Sequence, residues 1–181
     1  MLRIVVTGSP GIGKSTVVAK AAEKLAYQPG FKIGGIQTSE IRKEGKREGF
    51  SIRDLATGKT GILGSIRGSG LRVGKYHVNL EDLENIGANA LKSALECDLI
   101  VIDEVGPMEL KSEAFVSAVE VVLESDKPVL AVLHRSSSHQ LAQRIRKEFE
   151  VLIVNEENRD ELPEKIFARL RERNQHFPFN N

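Results

Sequence analysis

The sequence predicts an α/β fold, a three-layer sandwich in which helices cover both faces of a mostly parallel sheet. Apolar and amphipathic segments alternate along the chain, which is the order expected of such a sandwich. The apolar segments are rich in Val and Ile and apolar without interruption, as is typical of strands buried on both faces. We expect five central strands, at 2–7, 32–38, 98–104, 128–134 and 150–155.

The segments between these strands carry apolar residues at the spacing of a helix face. Asn79 and Asp82 are placed as the N-cap and third residue of the second helix. The last helix is expected to begin near Asp160 with Pro163 in its first turn. The apolar stripes that predict the five helices are Val17, Ala21 and Leu25; Leu83, Ile86, Ala90, Leu91 and Ala94; Phe115, Val116, Val119 and Leu123; Leu141, Ile145 and Phe149; and Leu162, Ile166 and Leu170.

The stretch 49–78 interrupts this alternation. Its first part is typical of two short strands around the turn ATGK, and the later segment LRVGKYHVNL predicts a third strand. A piece of about 30 residues is too short to build a core of its own. We therefore expect an antiparallel extension of the main sheet and not a second domain.

Length and composition favour one globular domain, which we place at 1–175, followed by a flexible tail at 176–181. The 181 residues are 40% hydrophobic and 28% charged, which suffices for a full core. No apolar run reaches the length of a membrane span, and the N-terminus lacks the design of a signal peptide. The single cysteine, Cys97, is expected to pack ahead of a strand, and it fits a reducing compartment. We expect a cytoplasmic monomer.

The net charge of +1 argues against a protein whose main partner is nucleic acid. The charge is uneven, however, since residues 32–75 hold ten Lys or Arg against four Asp or Glu. This basic segment either steers a polyphosphate or forms a solvated face of the molecule.

The segment GSPGIGKST, at 8–16, matches the phosphate-binding pattern GxxxxGK(S/T) and lies between a predicted strand and a predicted helix. Its glycines let backbone N–H groups close around phosphate oxygens, and the N-terminal end of the helix favours anions. We expect Lys14 to reach the β- and γ-phosphates in catalysis, Ser15 to ligate Mg²⁺ and Thr16 to touch the α-phosphate. The residues of this segment expected to contact the nucleotide are Gly8, Ser9, Pro10, Gly11, Ile12, Gly13, Lys14, Ser15 and Thr16.

The strand predicted at 98–104 ends in a pair of acidic residues. Asp103 is expected to hold Mg²⁺ through its water shell, as strand-end aspartates do beside a phosphate-binding loop. Glu104 is expected to orient or deprotonate a water that attacks the γ-phosphate. Gly106, in the turn that follows, is also expected to contact the nucleotide. The acidic pair favours a water-activating enzyme over a transferase.

Further polar residues follow other strands and leave alternatives open. Arg42, after the second strand, either approaches the γ-phosphate or is a solvated loop charge. Asn158 and Arg159, after the last strand, either contact the base or ribose or cap the next helix. His134 either senses the γ-phosphate or is a structural histidine.

The segments GSPGIGKST, IQTSEIRKEGKREGF, RVGKYHVNL, VIDEVGPMEL and NEENRDEL occur in an order that resembles the THEP-type nucleoside-triphosphatases, also called cancer-related nucleoside-triphosphatases. The phosphate loop is shared by all P-loop proteins, whereas the TSEIR…GF and DEVGPMEL elements are more specific. The resemblance covers residues 2 to about 172 and implies one RecA-like P-loop NTPase domain. It also implies slow, Mg²⁺-dependent hydrolysis of ATP, GTP and other nucleoside triphosphates. Family members commonly carry lysine where this chain has Pro107, so that cation has no counterpart here.

Three functions are compatible with these sequence features. The first is a Mg²⁺-dependent nucleoside-triphosphatase of low base selectivity, slow because no arginine finger is assured. The second is a nucleoside or small-metabolite kinase in which the basic segment 42–75 is a lid. The third is a nucleotide-switched binding module, although the chain lacks an (N/T)KxD base-specifying element and an aromatic platform for RNA. Hydrolysis with Mg²⁺ and nucleotide alone favours the first function, and dependence on an acceptor favours the second.

Overall fold

A computed structural model describes residues 2–174 of the chain. The strands are β1 (Arg3–Gly8), β2 (Ile33–Lys43), β3 (Lys46–Asp54), β4 (Thr60–Ser65), β5 (Arg72–Val73), β6 (Tyr76–Val78), β7 (Leu99–Val105), β8 (Val129–Leu133) and β9 (Glu150–Val154). The helices are α1 (Lys14–Ala26), α2 (Leu80–Asp82), α3 (Asn89–Ser93), α4 (Glu113–Glu124), α5 (Gln140–Glu148) and α6 (Leu162–Asn174). A π-helical segment, Leu83–Ala88, joins α2 to α3, and 3₁₀ turns lie at Ala94–Glu96 and Glu109–Lys111.

All of these strands form one sheet in the order β5-β6-β4-β3-β2-β7-β8-β1-β9. The strands β2, β7, β8, β1 and β9 pair in parallel. The strands β3, β4, β6 and β5 continue the sheet in antiparallel pairing from β2 outward. The predicted α/β class, with a parallel centre and an antiparallel extension, is therefore confirmed.

Each central strand contributes to two cores, one on either face of the sheet. In β1, Val5 packs into the core that α4 and α5 cover, whereas Ile4 and Val6 pack into the core under α1 and α6. The same alternation runs along β7, where Ile100 and Leu99 enter opposite cores. Because both faces are covered, these strands are apolar without interruption.

Two boundaries in the extension differ from those the sequence predicted. The strand predicted at 32–38 continues to Lys43 and turns back into β3 through Glu44 and Gly45. Both turn residues have positive φ, 49° and 76°, as a two-residue hairpin turn that matches strand twist requires. The third predicted strand is a tight hairpin of two strands, β5 and β6. Both hairpins are local, but their turns, Glu44–Gly45 and Gly74–Lys75, lack the Asn-Gly or Asp-Gly pair that most strongly predicts a hairpin.

Several local predictions are confirmed. The Asn79 side chain caps α2 by accepting a hydrogen bond from the Asp82 N–H at 3.0 Å. Pro163 lies in the first turn of α6, which begins at Leu162. Cys97 is buried directly ahead of β7, where burial raises the pKa of its thiol. The predicted tail, 176–181, lies outside the described residues, and no helix within 2–174 is long and apolar enough to cross a membrane.

Candidate nucleotide-binding site

The phosphate loop, residues 8–15, connects β1 to α1 at the carboxyl edge of the parallel strands. Gly11 and Gly13 have positive φ, 75° and 108°, and a Cβ on either would meet nothing within 4 Å. Backbone conformation, not crowding, therefore calls for glycine at these two positions. Gly8 differs, because a Cβ there would lie 2.8 Å from the carbonyl oxygen of Val154 on β9. The glycines of the loop are thus required for two separate physical reasons, backbone conformation and close packing.

Two cations lie against the phosphate loop. Lys14 Nζ donates hydrogen bonds to the carbonyl oxygens of Gly8 at 3.2 Å and Ser9 at 3.0 Å. Arg135, in the segment after β8, donates from its guanidinium to Ser9 Oγ at 3.3 Å. Sequence reasoning missed Arg135, although its position directly after the strand-end residue His134 was an available signal.

Ser15 and Asp103 meet across the site, as metal ligation by both would require. Ser15 Oγ donates a hydrogen bond of 2.8 Å to Asp103 Oδ1. Asp103 is 1% exposed, and its Oδ2 is buried with no hydrogen-bond partner among residues 2–174. Burial raises the pKa of Asp103 to about 7, the Ser15 hydrogen bond opposes that rise, and the Glu104 charge adds to it. An unpartnered carboxylate oxygen beside a serine hydroxyl is a hard oxygen donor set, which fits Mg²⁺.

A second carboxylate, Glu109, lies beside Glu104 under the cleft. A Cβ on Gly106 would lie 2.4 Å from Glu104 Oε1 and 3.0 Å from Glu109 Oε2, so both side chains converge on this glycine. Burial raises the pKa of Glu104, and the charges of Lys14 and His134 oppose the rise. Burial, with the Glu104 charge added, raises the pKa of Glu109 to about 8.

The sequence carried one weak signal for Glu109, an acidic residue within the segment PMEL that follows the turn. An acid in a short loop is ordinarily exposed, so the sequence alone did not single it out. In the structure, Glu109 is 3% exposed and lines the cleft.

The phosphate loop borders a cleft of about 750 Å³ whose opposite end lies in the antiparallel extension. Five extension residues line this end, and we call the four with side chains, Arg47, Phe50, Val73 and Tyr76, the aromatic wall; the fifth is Gly74. The Phe50 and Tyr76 rings meet edge to face, with centroids 5.1 Å apart. Arg47 Nε donates to the Tyr76 hydroxyl at 2.9 Å, and the Arg47 guanidinium carbon lies 5.1 Å from the Phe50 centroid. The sequence did not reveal this wall, because the two rings belong to different hairpins.

Seven predicted residues do not line the cleft. Four of them, Ser9, Ile12, Asp103 and Gly106, adjoin residues that do, whereas Arg42, Asn158 and Arg159 lie away from it. Arg42 is exposed on β2, where its guanidinium donates to Glu40 at 2.8 Å and to the Gly45 carbonyl at 3.0 Å. Asn158 closes the turn after β9, since its Nδ2 donates to the Ile153 carbonyl at 2.9 Å. Arg159 is exposed in the same turn. These contacts favour a solvated charge for Arg42 and a capping role for Asn158.

His134 does line the cleft, at the end of β8. Its Nδ1 is buried and has no hydrogen-bond partner in the described part of the chain. Both the sensing role and the structural role that the sequence left open remain compatible with this position.

Comparison with known proteins identifies the family. The sequence profile of the NTPase family matches residues 3–167. The nucleoside-triphosphatase THEP1 of Methanosarcina barkeri is 86% identical over 172 residues, which cover 95% of this chain and 99% of the relative. This chain belongs to the THEP1 family of nucleoside-triphosphatases. The resemblance inferred from the sequence motifs is thereby confirmed.

Solved THEP1 structures share the fold over nearly the whole chain. The crystal structure of THEP1 from Aquifex aeolicus is 32% identical, with a TM-score of 0.82, and covers 93% of this chain and 99% of its own. The solution structure of a human cancer-related nucleoside triphosphatase is also 32% identical, with a TM-score of 0.79 over 95% of this chain and 98% of its own. Coverage this complete indicates that the antiparallel extension is part of the THEP1 fold and not an insertion.

Proposed function

We propose that this chain is a Mg²⁺-dependent enzyme that hydrolyses ATP, GTP and other nucleoside triphosphates to the diphosphate and phosphate. The observation that carries the proposal is the contact of Ser15 with Asp103 beside the phosphate loop, with Asp103 Oδ2 left unpartnered. Ser15 and Asp103 would hold the ion, Asp103 through a water. Bound there, Mg²⁺ would neutralise charge on the β- and γ-phosphate oxygens.

In the proposed reaction, Lys14 leaves the Gly8 and Ser9 carbonyls and pairs with β- and γ-phosphate oxygens. The backbone N–H groups of the phosphate loop stabilise the same charge. The oxygen of a water bonds to the γ-phosphorus, the bond from that phosphorus to the bridging oxygen breaks, and the diphosphate leaves. Glu104 takes the proton of the attacking water, and burial makes this carboxylate more basic than an exposed one.

We further propose that turnover is slow and weakly selective among bases. The contacts assigned above all involve the polyphosphate and the attacking water, which every nucleoside triphosphate shares. Arg135, already at the phosphate loop, is better placed than Arg42 to approach the γ-phosphate. Arg135 is exposed, however, and a solvated cation stabilises developing charge less than a buried one. We propose that residues 1–175 act as one cytoplasmic domain and as a monomer.

The test is phosphate release from purified protein given ATP, GTP, CTP or UTP, each with and without Mg²⁺. We expect all four nucleotides to be hydrolysed at rates within about tenfold of one another, since the proposed contacts do not involve the base. We expect release to stop when EDTA removes the metal. Hydrolysis that persists in EDTA would contradict the metal site, and release from one nucleotide only would contradict low selectivity.

A further inference from the structure

The cleft extends well beyond the phosphate loop. Neighbouring strands of a sheet lie about 4.8 Å apart. The aromatic wall begins on β3, four strands along the sheet from β1, and continues through β6 to β5, three strands further. The wall therefore begins roughly 19 Å from the strand that carries the phosphate loop. Glu104 on β7 lies midway between the two ends.

The proposed function sets the direction of a bound nucleotide within this cleft. Ser15 contacts Asp103 of β7, and Mg²⁺ held by these two residues would supply charge neutralisation at the γ-phosphate end of the nucleotide. The γ-phosphate therefore faces Glu104, and the α-phosphate and nucleoside extend past Thr16 in the other direction. The aromatic wall consequently lies on the γ-phosphate side, beyond the reach of that nucleotide's own base.

The aromatic wall has the chemistry of a surface for planar rings. Tyr76 is 7% exposed and Phe50 packs against the main core, so both rings are held in place. Glu40 Oε1 accepts a hydrogen bond of 2.7 Å from Arg47, which also donates to Tyr76. The guanidinium is thus fixed over both rings. Arg47 and Lys75 cover the Tyr76 ring, whereas the Arg47 side chain is 42% exposed. The guanidinium, held by the rings beneath it, is therefore the planar face open to a nucleobase, and stacking on it does not depend strongly on which base is bound.

We propose that the aromatic wall binds the base of a second molecule, a nucleoside, as a phosphoryl acceptor. This inference rests on the proposed function, which places the γ-phosphate beside Glu104. A hydroxyl oxygen of the nucleoside bonds to the γ-phosphorus, and the bond from that phosphorus to the bridging oxygen breaks. The diphosphate leaves, and the hydroxyl proton passes to Glu104. A nucleoside 5′-monophosphate presents the same base and would offer a phosphate oxygen instead.

Binding is tested by calorimetry on the full chain loaded with Mg²⁺ and a non-hydrolysable ATP analogue. The probes are adenosine, guanosine, cytidine and uridine, and then their 5′-monophosphates. We expect Phe50→Leu and Tyr76→Leu each to weaken nucleoside binding at least about tenfold, because each removes a ring that holds the Arg47 guanidinium in place. Tyr27→Leu is the matched control, since Tyr27 is 77% exposed and does not line the cleft. Tyr76→Phe keeps the ring and should keep binding even if Tyr76→Leu fails to fold.

Transfer is tested with γ-labelled ATP, by asking whether label appears on the added nucleoside or monophosphate. Labelled acceptor from the parent, lost in Phe50→Leu, is the expected result. Phosphate release without any nucleoside binding would overturn the acceptor site and leave the proposed hydrolysis standing. Absence of nucleotide hydrolysis and of nucleotide binding would instead overturn the proposed function. If Phe50→Leu raises the KM for ATP itself about tenfold, the wall binds the base of the hydrolysed nucleotide and the inference is wrong.

Discussion

The phosphate loop and the aromatic wall face each other across one cleft but are built in different ways. The phosphate loop consists of backbone amides and short side chains at the ends of parallel strands, with Lys14 and Ser15 next to each other in the chain. The aromatic wall consists of long side chains on antiparallel strands, and Arg47 and Tyr76 meet across 29 positions of sequence.

The difference shows which kind of site a sequence reveals. A site made by consecutive residues leaves a fixed spacing in the sequence, because backbone geometry alone brings its atoms together. A site assembled from separate hairpins leaves no such spacing, because its geometry depends on strand register. Mutations in the phosphate loop should therefore change the rate of catalysis, whereas mutations in the aromatic wall should change the affinity for a ligand.

The largest effect is expected at the phosphate loop. Lys14→Ala should lower the rate of nucleotide hydrolysis by about 10³-fold, because it removes the ammonium that stabilises charge on the transferring phosphoryl group. Phosphate release under saturating MgATP measures the loss. Lys20→Ala, an exposed lysine on the same helix, is the control and should retain the parent rate. A Lys14→Ala enzyme within tenfold of the parent would show that the loop does not act through this lysine.

Glu104→Gln should lower kcat by about 10²-fold and leave nucleotide binding intact, because the amide fills the same space but cannot accept the proton. Stopped-flow phosphate release, with binding measured by a fluorescent nucleotide, separates the two effects. Glu120→Gln, exposed on α4, is the matched control. Unchanged kcat in Glu104→Gln would remove the assigned base from hydrolysis and also from the proposed transfer to a nucleoside.

The parallel half of the fold was predictable because its strands and helices carry strong periodicity. The phosphate loop and the pair Asp103–Glu104 were recognisable by spacing. The position of Arg42 was not, because the mostly polar residues after Thr38 do not predict that β2 continues to Lys43 in a hairpin. Glu109 was also missed, since its burial results from the packing of the 3₁₀ turn against Gly106.

A smaller effect on kcat should distinguish Arg135 from Arg42. Arg135→Ala should lower kcat about tenfold, because the guanidinium lies at the phosphate loop but is exposed, and solvent weakens its field. Arg42→Ala should change kcat less, since this side chain pairs with Glu40 and does not line the cleft. Steady-state kinetics on both variants checks the order. A larger loss in Arg42→Ala would indicate that the β2–β3 hairpin moves toward the γ-phosphate during turnover.

The smallest effect concerns stability and tests Glu109, between the two ends of the cleft. In the folded protein, burial raises the pKa of Glu109 from 4.5 to about 8. Between these values the folded state holds a proton that the unfolded state has lost, so the free energy of unfolding falls as pH rises. The slope contributed by one such group approaches about 1.4 kcal/mol per pH unit. Glu109→Gln should remove this slope, as measured by urea denaturation of Mg²⁺-free protein from pH 5 to about 8.

Burial raises the pKa of Asp103 to about 7. Below that pH, Asp103 therefore also makes the free energy of unfolding fall as pH rises. The comparison of Glu109→Gln with the parent is therefore most informative between about pH 7 and 8, where Asp103 has mostly ionised. Glu120→Gln should leave the parent slope unchanged, because its carboxylate is exposed. If Glu109→Gln also keeps the parent slope in this interval, Glu109 is already ionised near neutral pH. The floor of the cleft would then carry an additional negative charge beside Glu104, which would repel the γ-phosphate instead of accommodating it.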